Sequence, residues 1–449
     1  MQSNRFSRRT LIRSTAMLGA GLAMPLPRLV RAASPNGKMR FAGIGVNGMG
    51  WSDVSSIGGY DKVEVVGLCD IDTARFDKAA EKWPNAPRFQ DFRQMFDKIG
   101  NQIDAVNVSI PDHMHAFVAM HAMNLGKHVY CEKPLTHTVW EARQMTKLAA
   151  KNKLVTRMGN QIHSRIEYRL GVRMLRDGLI GKVKEIHSWV GASGAATCDL
   201  PAPPDRTDPV PGTLDWDLWL GVAADRPFVN EIYHPFKWRA WKDFGGGGFG
   251  DFGCHILDPP FTALELTAPK TIVAEQDGQT ATRWPAGVKA TYIFPGTKFT
   301  AGETVKVVWY NGNMKPGREL VPDMPADQDL PRAGSIFIGE KGQMVLPHWN
   351  GPRIYPRDLL ASYDKPDLGS RHHWHDWVDA VLTGDVNISD NFAYAGPLTE
   401  TVNLGLIAVQ CEGQTLAWDP AALEITNNAK ANGLLTREYR KGFEIKAVD

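Results

Sequence analysis

Along residues 39–158, short apolar runs alternate with stretches of mixed polarity at a regular spacing. Runs rich in apolar and β-branched residues at 39–44, 63–68, 105–110, 128–131 and 154–158 predict five strands. Between them, apolar positions recur at helical spacing at 73–82, 115–125 and 139–151, which predicts helices. Helices alternating with strands bury their apolar stripes on both faces of one sheet. This half therefore reads as a parallel, doubly wound α/β domain.

Beyond residue 159 the texture changes. A helix at 165–176 and a strand at 183–190 lead into a long loop, 191–244, rich in proline, glycine and tryptophan. The run Gly245-Gly246-Gly247-Gly248 opens a helix predicted to end near Leu266. Strand-like runs follow at 271–274, 288–293, 305–309 and 335–338, and helices near 374–382 and 398–410 complete the pattern. Strands clustered apart from helices predict an α+β domain with an open, mainly antiparallel sheet. The expected domains are 38–158 and 159–449.

Residues 1–32 do not read as fold. Ser7-Arg8-Arg9-Thr10-Leu11-Ile12-Arg13 sets paired arginines ahead of an apolar stretch, 15–26, and Val30-Arg31-Ala32 supplies a cleavage site. That order predicts a twin-arginine signal, export of the folded protein and a periplasmic location. No segment reaches the roughly 20 apolar residues of a membrane span.

Charge and cysteines remove other classes. A net charge of +2, with no long basic run after residue 40, leaves no footprint for nucleic-acid binding. The five cysteines, Cys69, Cys131, Cys198, Cys254 and Cys411, are odd in number and form no CxxC pair. Zinc ribbons and thioredoxin chemistry are therefore unsupported, and Cys69, Cys131 and Cys254 read as buried thiols.

Gly43-Ile44-Gly45-Val46-Asn47-Gly48 is GxGxxG between a strand and a helical segment, and Asp70 ends the next strand 22 residues beyond Gly48. Glycines there let the backbone approach a pyrophosphate at a helix N-terminus, and Asp70 accepts hydrogen bonds from a ribose diol. A carboxylate at that point repels a 2′-phosphate, so the cofactor expected is NAD, with Arg75 the neighbour able to weaken the repulsion.

Further motifs narrow the reading. Ser109-Ile110-Pro111-Asp112-His113-Met114-His115 closes the third strand and Glu132-Lys133-Pro134 the fourth. Asp251-Phe252-Gly253-Cys254-His255 follows the glycine run, with Gly396-Pro397-Leu398-Thr399-Glu400 and Tyr439-Arg440-Lys441-Gly442 near the end. Together these resemble the glucose–fructose oxidoreductase/inositol dehydrogenase (Gfo/Idh/MocA) family over nearly all the chain after residue 38. The resemblance implies a Rossmann domain, an open-sheet domain that commonly carries a homo-oligomer interface, and nicotinamide chemistry on sugars or polyols. It implies cofactor contacts from Gly43, Gly45, Asn47, Gly48, Met49, Asp70, Ser109, Pro111, His113, His115, Glu132, Lys133 and Asn160. The candidate substrate contacts are Gln161, His163, Trp241 and His372.

Asp251 and His255, spaced i, i+4, share one face of a helix. An imidazole suits the removal of a sugar hydroxyl proton, since it titrates near neutrality. Lys133, at the carboxyl end of a parallel strand, would steady the oxygen and favour neutral His255. Asp251 would orient a second hydroxyl or relay the proton. In the loop, Trp216, Trp219, Tyr233, Trp238 and Trp241, with Trp189 upstream, form either a sugar-stacking wall or core filling, Trp241 being the foremost candidate. His372-His373-Trp374-His375 lacks a supporting Cys or Glu cluster. No metal is expected, and His372 reads as a helix-start polar group or a sugar contact.

The reaction expected is NAD-dependent oxidation of a sugar ring hydroxyl with a tightly held cofactor, because the periplasm offers no free NAD pool. The alternative is glycoside cleavage through a transient 3-keto sugar, with no net redox change. The Tyr-Pro-Thr-His segment of the family's glycosidase branch is missing from the sequence, which puts that reading second.

Overall fold

The computed structural model describes residues 37–193 and 198–448, so the twin-arginine segment lies outside the described residues. The first sheet holds β1 (Met39–Ile44), β2 (Val63–Cys69), β3 (Arg88–Phe89), β4 (Ala105–Val108), β5 (His128–Glu132) and β6 (Thr156–Gly159). All neighbours pair in parallel, in the order β3-β2-β1-β4-β5-β6. Helices cover both faces, which is why β4 is buried at every position and reads as an unbroken apolar run. The strand order reverses between β1 and β4, and that reversal opens a crevice beyond the carboxyl ends.

Local chemistry explains which boundaries were legible. Helix Val139–Lys151 starts where expected because Thr138 and Glu141 form a reciprocal capping box. Helix Asp112–Asn124 starts three residues before the expected 115, with Pro111 as its cap and Asp112 in its first turn, where an acid favours the helix dipole. The expected helix over 73–82 is broken into a 3-10 turn, Thr73–Arg75, and a helix, Asp77–Lys82. Two-residue β3 is too short to carry a period, whereas helix Phe92–Ile99 was missed although Phe92, Met95, Phe96 and Ile99 repeat at helical spacing behind an Asp91 cap.

The second sheet has nine strands in the order β13-β12-β11-β7-β10-β9-β8-β14-β15. They are β7 (Val183–Val190), β8 (Thr271–Asp277), β9 (Gly287–Pro295), β10 (Thr304–Asn311), β11 (Ala333–Gly339), β12 (Gln343–Pro347), β13 (Arg353–Tyr355), β14 (Leu416–Asp419) and β15 (Glu424–Ile425). Every pairing is antiparallel except β7 with β10, as expected of an open, mainly antiparallel sheet. Helix Gly247–Leu264 packs against β7, and helix Phe392–Gln410 packs against it and against Val139–Lys151. Phe392–Gln410 begins six residues before the expected 398 because Pro397 lies inside it. The cost of an internal proline, about 3 kcal/mol, is offset by burial of nearly its whole surface.

Two contacts tie the first sheet to later parts of the chain. Arg157 on β6 pairs through Nε with Asp390 at 2.8 Å, both side chains almost fully buried. The long loop adds itself to the end of β2, where Thr73 N–H donates to Thr213 O at 2.8 Å and Asp215 N–H to Ile71 O at 3.0 Å. The described cysteines are free thiols, and all but Cys198 are buried.

Candidate active site

The crevice widens into a cavity of about 910 Å³ that runs from the glycine turn to the second domain. At one end the turn is a bare cradle. Gly45 takes φ +79°, and a Cβ there would lie 2.2 Å from Ser109 O. Gly48 takes φ +58° with open space beside it. Asp70 grips the turn from β2, accepting from Val46 N–H and Asp72 N–H at 3.1 Å each. Burial pushes its carboxyl up to about 6, so any donor that replaces water there strengthens the ionised form. Asn47, Met49, Ser109, Pro111, His115 and Glu132 line the same space.

Beneath it lies a carboxyl pair. Asp53 is fully buried and accepts from Ser109 Oγ–H at 2.6 Å and Trp374 Nε1–H at 2.8 Å. Glu132 accepts from Gln161 Nε2 at 2.7 Å. Burial and the neighbouring Asp53 push Glu132 well up, which keeps a proton on the pair. His115 sits between two carbonyls, Pro134 O at 2.8 Å and Ile110 O at 2.7 Å, and so ties the end of β4 to the end of β5.

At the other end Lys133 Nζ donates to Asp251 O at 2.7 Å and Oδ1 at 2.9 Å. Two of its three protons are used, and the third is available to the cavity it lines. Burial opposes the ammonium, but Asp251 outweighs burial and holds its pKa above the ordinary value. Burial likewise opposes ionised Asp251, and Lys133 and Arg239 outweigh it, bringing the carboxyl to about 2.

The protonation of His255 follows from its neighbours. Asn160 Nδ2 lies 2.8 Å from Asp258 Oδ2 and 3.2 Å from Cys254 O, two acceptors that only an NH₂ group satisfies. Its Oδ1 therefore faces His255 Nδ1 in a short hydrogen bond, so Nδ1 carries the proton and Nε2 the lone pair. Burial, then Lys133 and His348, push the imidazole well below its ordinary pKa. His255 is a neutral base with a fixed tautomer.

Several expected positions are corrected by this geometry. Asn160 orients His255 instead of lining the cofactor space. His113 is fully buried, bonded to Trp219 O at 3.0 Å and packed on Phe244, so it supports the aromatic cluster. His163 is buried against Asp258 at 2.9 Å and Ser389 at 3.0 Å, away from the cavity. Trp241 is 1% exposed within the cluster of Trp219, Tyr233, Trp238 and Phe244, so it fills core. Asp251 stands behind Lys133 with its oxygens committed to Lys133, Arg239 and Ser193, a counter-ion and not a substrate contact. Gly43 packs under helix Met49–Gly58, where a Cβ would meet Val54 at 2.9 Å.

Gln161 and His372 do line the cavity. His372 also caps helix His373–Thr383, its Nδ1 accepting from His375 N–H at 3.3 Å. Among the described residues no group of three His, Cys, Asp or Glu side chains is placed to hold a metal. The sequence reading missed Asp112, Arg165, Arg239, Trp349 and Arg371, which line the cavity from separate loops and helix starts. Asp112 carried a signal, an acid at a helix start beyond a parallel strand; the others carried none.

The residues fit a dinucleotide. Besides the bare glycine cradle, cavity-lining Trp219 holds a buried ring nitrogen, Nε1, without a hydrogen-bond partner among the described residues. Parallel sheet, glycine turn and carboxylate-tipped β2, roofed by a second antiparallel-sheet domain, define an NAD-binding oxidoreductase fold. Residues 39–160 match the NAD-binding Rossmann fold of the oxidoreductase family GFO_IDH_MocA, and residues 203–293 match its C-terminal alpha/beta domain. Both stretches are thus similar to the Gfo/Idh/MocA family of oxidoreductases.

Among curated relatives, a glycosyl hydrolase family 109 protein of Shewanella sp. (strain MR-4) is 28% identical over 172 residues, 36% of this chain and 35% of that one. Levoglucosan dehydrogenase of Pseudarthrobacter phenanthrenivorans is 24% identical over 182 residues, 40% of this chain and 37% of that one. The chain thus spans little more than a third of these relatives' length. The WlbA dehydrogenase of Bordetella pertussis, solved with NADH and UDP-GlcNAcA, shares the fold at a TM-score of 0.59 and 16% identity, covering 85% of this chain and 99% of that one.

Proposed function

We propose that this protein oxidises a ring hydroxyl of a sugar or glycoside and keeps its NAD bound between turnovers. The observation that carries the reading is the Nε2 lone pair of neutral His255, set with the Lys133 ammonium on the cavity that also holds the glycine turn. When bound, NAD supplies the acceptor for the hydride that leaves the carbon undergoing oxidation. His255 Nε2 takes the hydroxyl proton, and the free Lys133 proton donates to the oxygen as charge develops there. Asp251 holds Lys133 in place, and Asn160 keeps the base in its reactive tautomer. Gly45, Gly48 and the helix start at Met49 would hold the pyrophosphate, with Asp70 taking the ribose diol.

Residues 1–32 we read as a twin-arginine export signal, which makes the protein periplasmic. An exported NAD enzyme must load its cofactor before export and regenerate it in place, by a second substrate or by return within one cycle. Return within the cycle is the second reading: oxidation at C3 acidifies the C2 proton, the C1 substituent leaves, water adds and the ketone is reduced. The relatives named as family 109 glycosyl hydrolases favour it. The test is to purify the protein from its native compartment, assay bound NAD after denaturation, and expose it to a glycoside panel. Reduced nicotinamide with an accumulating keto sugar supports oxidation, and a released C1 substituent without net reduction supports cleavage. Neither product from any sugar or glycoside overturns both.

A further inference from the structure

The substrate end of the cavity holds more positive charge than sugar hydroxyls require. Arg165, Arg239 and Arg371 line it together with Lys133. Asp251 is already bound to Lys133 and Arg239, and Asp112, the other carboxyl beside them, is pushed up to about 7 by burial, so the two carboxyls leave cations in excess. Arg165 pairs with Glu167 through Nε and Nη2 at 3.2 Å each, which leaves Nη1 of its fork uncommitted. Arg371 is exposed and has no ion pair among the described residues. The cofactor's pyrophosphate does not account for this charge. Its cradle is the turn at Gly45 and Gly48, whereas Arg165 follows β6 and acts electrostatically on His348, whose ring is 5.3 Å from that of His255.

Aromatic faces accompany the arginines. Among the described residues seven large apolar side chains are strongly exposed, and three of them, Met49, Phe236 and Trp349, line this cavity. Trp349 is 59% exposed with the Arg165 guanidinium 5.3 Å from its ring. Phe236 is 55% exposed with Arg239 at 5.3 Å, and Arg239 also lies 4.1 Å over Trp238. An aromatic face beside a guanidinium receives a pyranose ring on the one and an oxyanion on the other. A neutral sugar would offer Arg371 and the uncommitted Nη1 of Arg165 only hydroxyl oxygens, which are weaker acceptors than an oxyanion.

We infer that the substrate is an anionic pyranoside, its ring on Trp349 and Phe236 and its carboxylate or phosphate oxygens on Arg165 and Arg371. This rests on the reading of the cavity as a sugar-oxidising site. It is tested with the NAD-loaded protein and matched sugars: methyl glucoside with methyl glucuronide, methyl galactoside with methyl galacturonide, and the corresponding 6-phosphates. Binding is measured by titration calorimetry and turnover by reduction of the bound nicotinamide.

The acidic member of at least one pair should bind roughly 10–100-fold more tightly, the worth of a charge-assisted hydrogen bond. Salt should weaken that preference. Arg165→Met and Arg371→Met should each bring the acidic-to-neutral ratio toward one. Whichever of carboxylate and phosphate binds more tightly identifies the anion. Neutral sugars binding as well as their acidic partners, or a ratio unmoved in both variants, overturns the inference. Acidic sugars that bind selectively without reducing nicotinamide or being cleaved leave the anion site standing and remove the reading of oxidation.

Discussion

At the glycine end of the cavity, the contacts that shape the site come from one βαβ unit and the strand beside it. Asp70 reaches Val46 across 24 positions, and Gly45 lies under Ser109 of the adjacent β4. At the Lys133 end, Lys133 meets Asp251 across 118 positions and His255 meets Asn160 across 95. The first end is a backbone device that spacing alone can announce. The second is an assembly of side chains brought together by the packing of helix Gly247–Leu264 against the end of β6. One prescribes a shape for a cofactor, the other a protonation state.

The sharpest break between the two ends comes from His255→Ala. Bound NAD should stay at the wild-type level while nicotinamide reduction by an active sugar falls roughly 10²–10⁴-fold, the worth of a positioned base. Near-normal single-turnover reduction in folded, loaded variant would move the chemistry elsewhere. Lys133→Met should lower the same rate with little effect on NAD content, and the double variant should lose far less than the product of the two.

The complementary change is Asp70→Ala, which should weaken NAD retention roughly 10–100-fold and leave the chemical step of refilled enzyme near normal. Dialysis followed by cofactor assay reads it, and unchanged retention takes Asp70 out of the cofactor site.

Asn160→Leu probes the tautomer with a smaller effect. Without the Oδ1 acceptor the proton can move to Nε2, and turnover should fall about 10-fold with cofactor content intact.

The pH profile supplies the sign. The base must be deprotonated, and burial with Lys133 holds His255 well below the ordinary value. Wild-type reduction rates should therefore stay flat as pH falls through about 6.5, the ordinary histidine value. In Lys133→Met a cation is lost, the imidazole pKa rises, and an acid limb should appear at higher pH. An identical limb in both proteins would remove Lys133 as the source.

Trp241→Phe is the mildest test. Trp241 is buried and donates to Ile232 O at 2.8 Å, so its loss should cost about 1–2 kcal/mol of thermal stability and leave sugar affinity unchanged. A large rise in KM would restore it to the site.

By itself the sequence determined the parallel sheet, the glycine turn with Asp70, and the lysine and histidine that face the cavity. Each of these rests on short-range rules: alternation of apolar runs, a positive φ that only glycine takes easily, and a fixed i, i+4 step on a helix. Only the tertiary structure decided that Asn160 serves His255, that His163 and Trp241 belong to the core, and that Arg165, Trp349 and Arg371 share a cavity with Lys133. Whether a polar or aromatic side chain is buried or exposed depends on what packs over it. Here the packing partners are as far from it in sequence as Asn160 from Asp258, a separation of 98 positions that no local periodicity encodes.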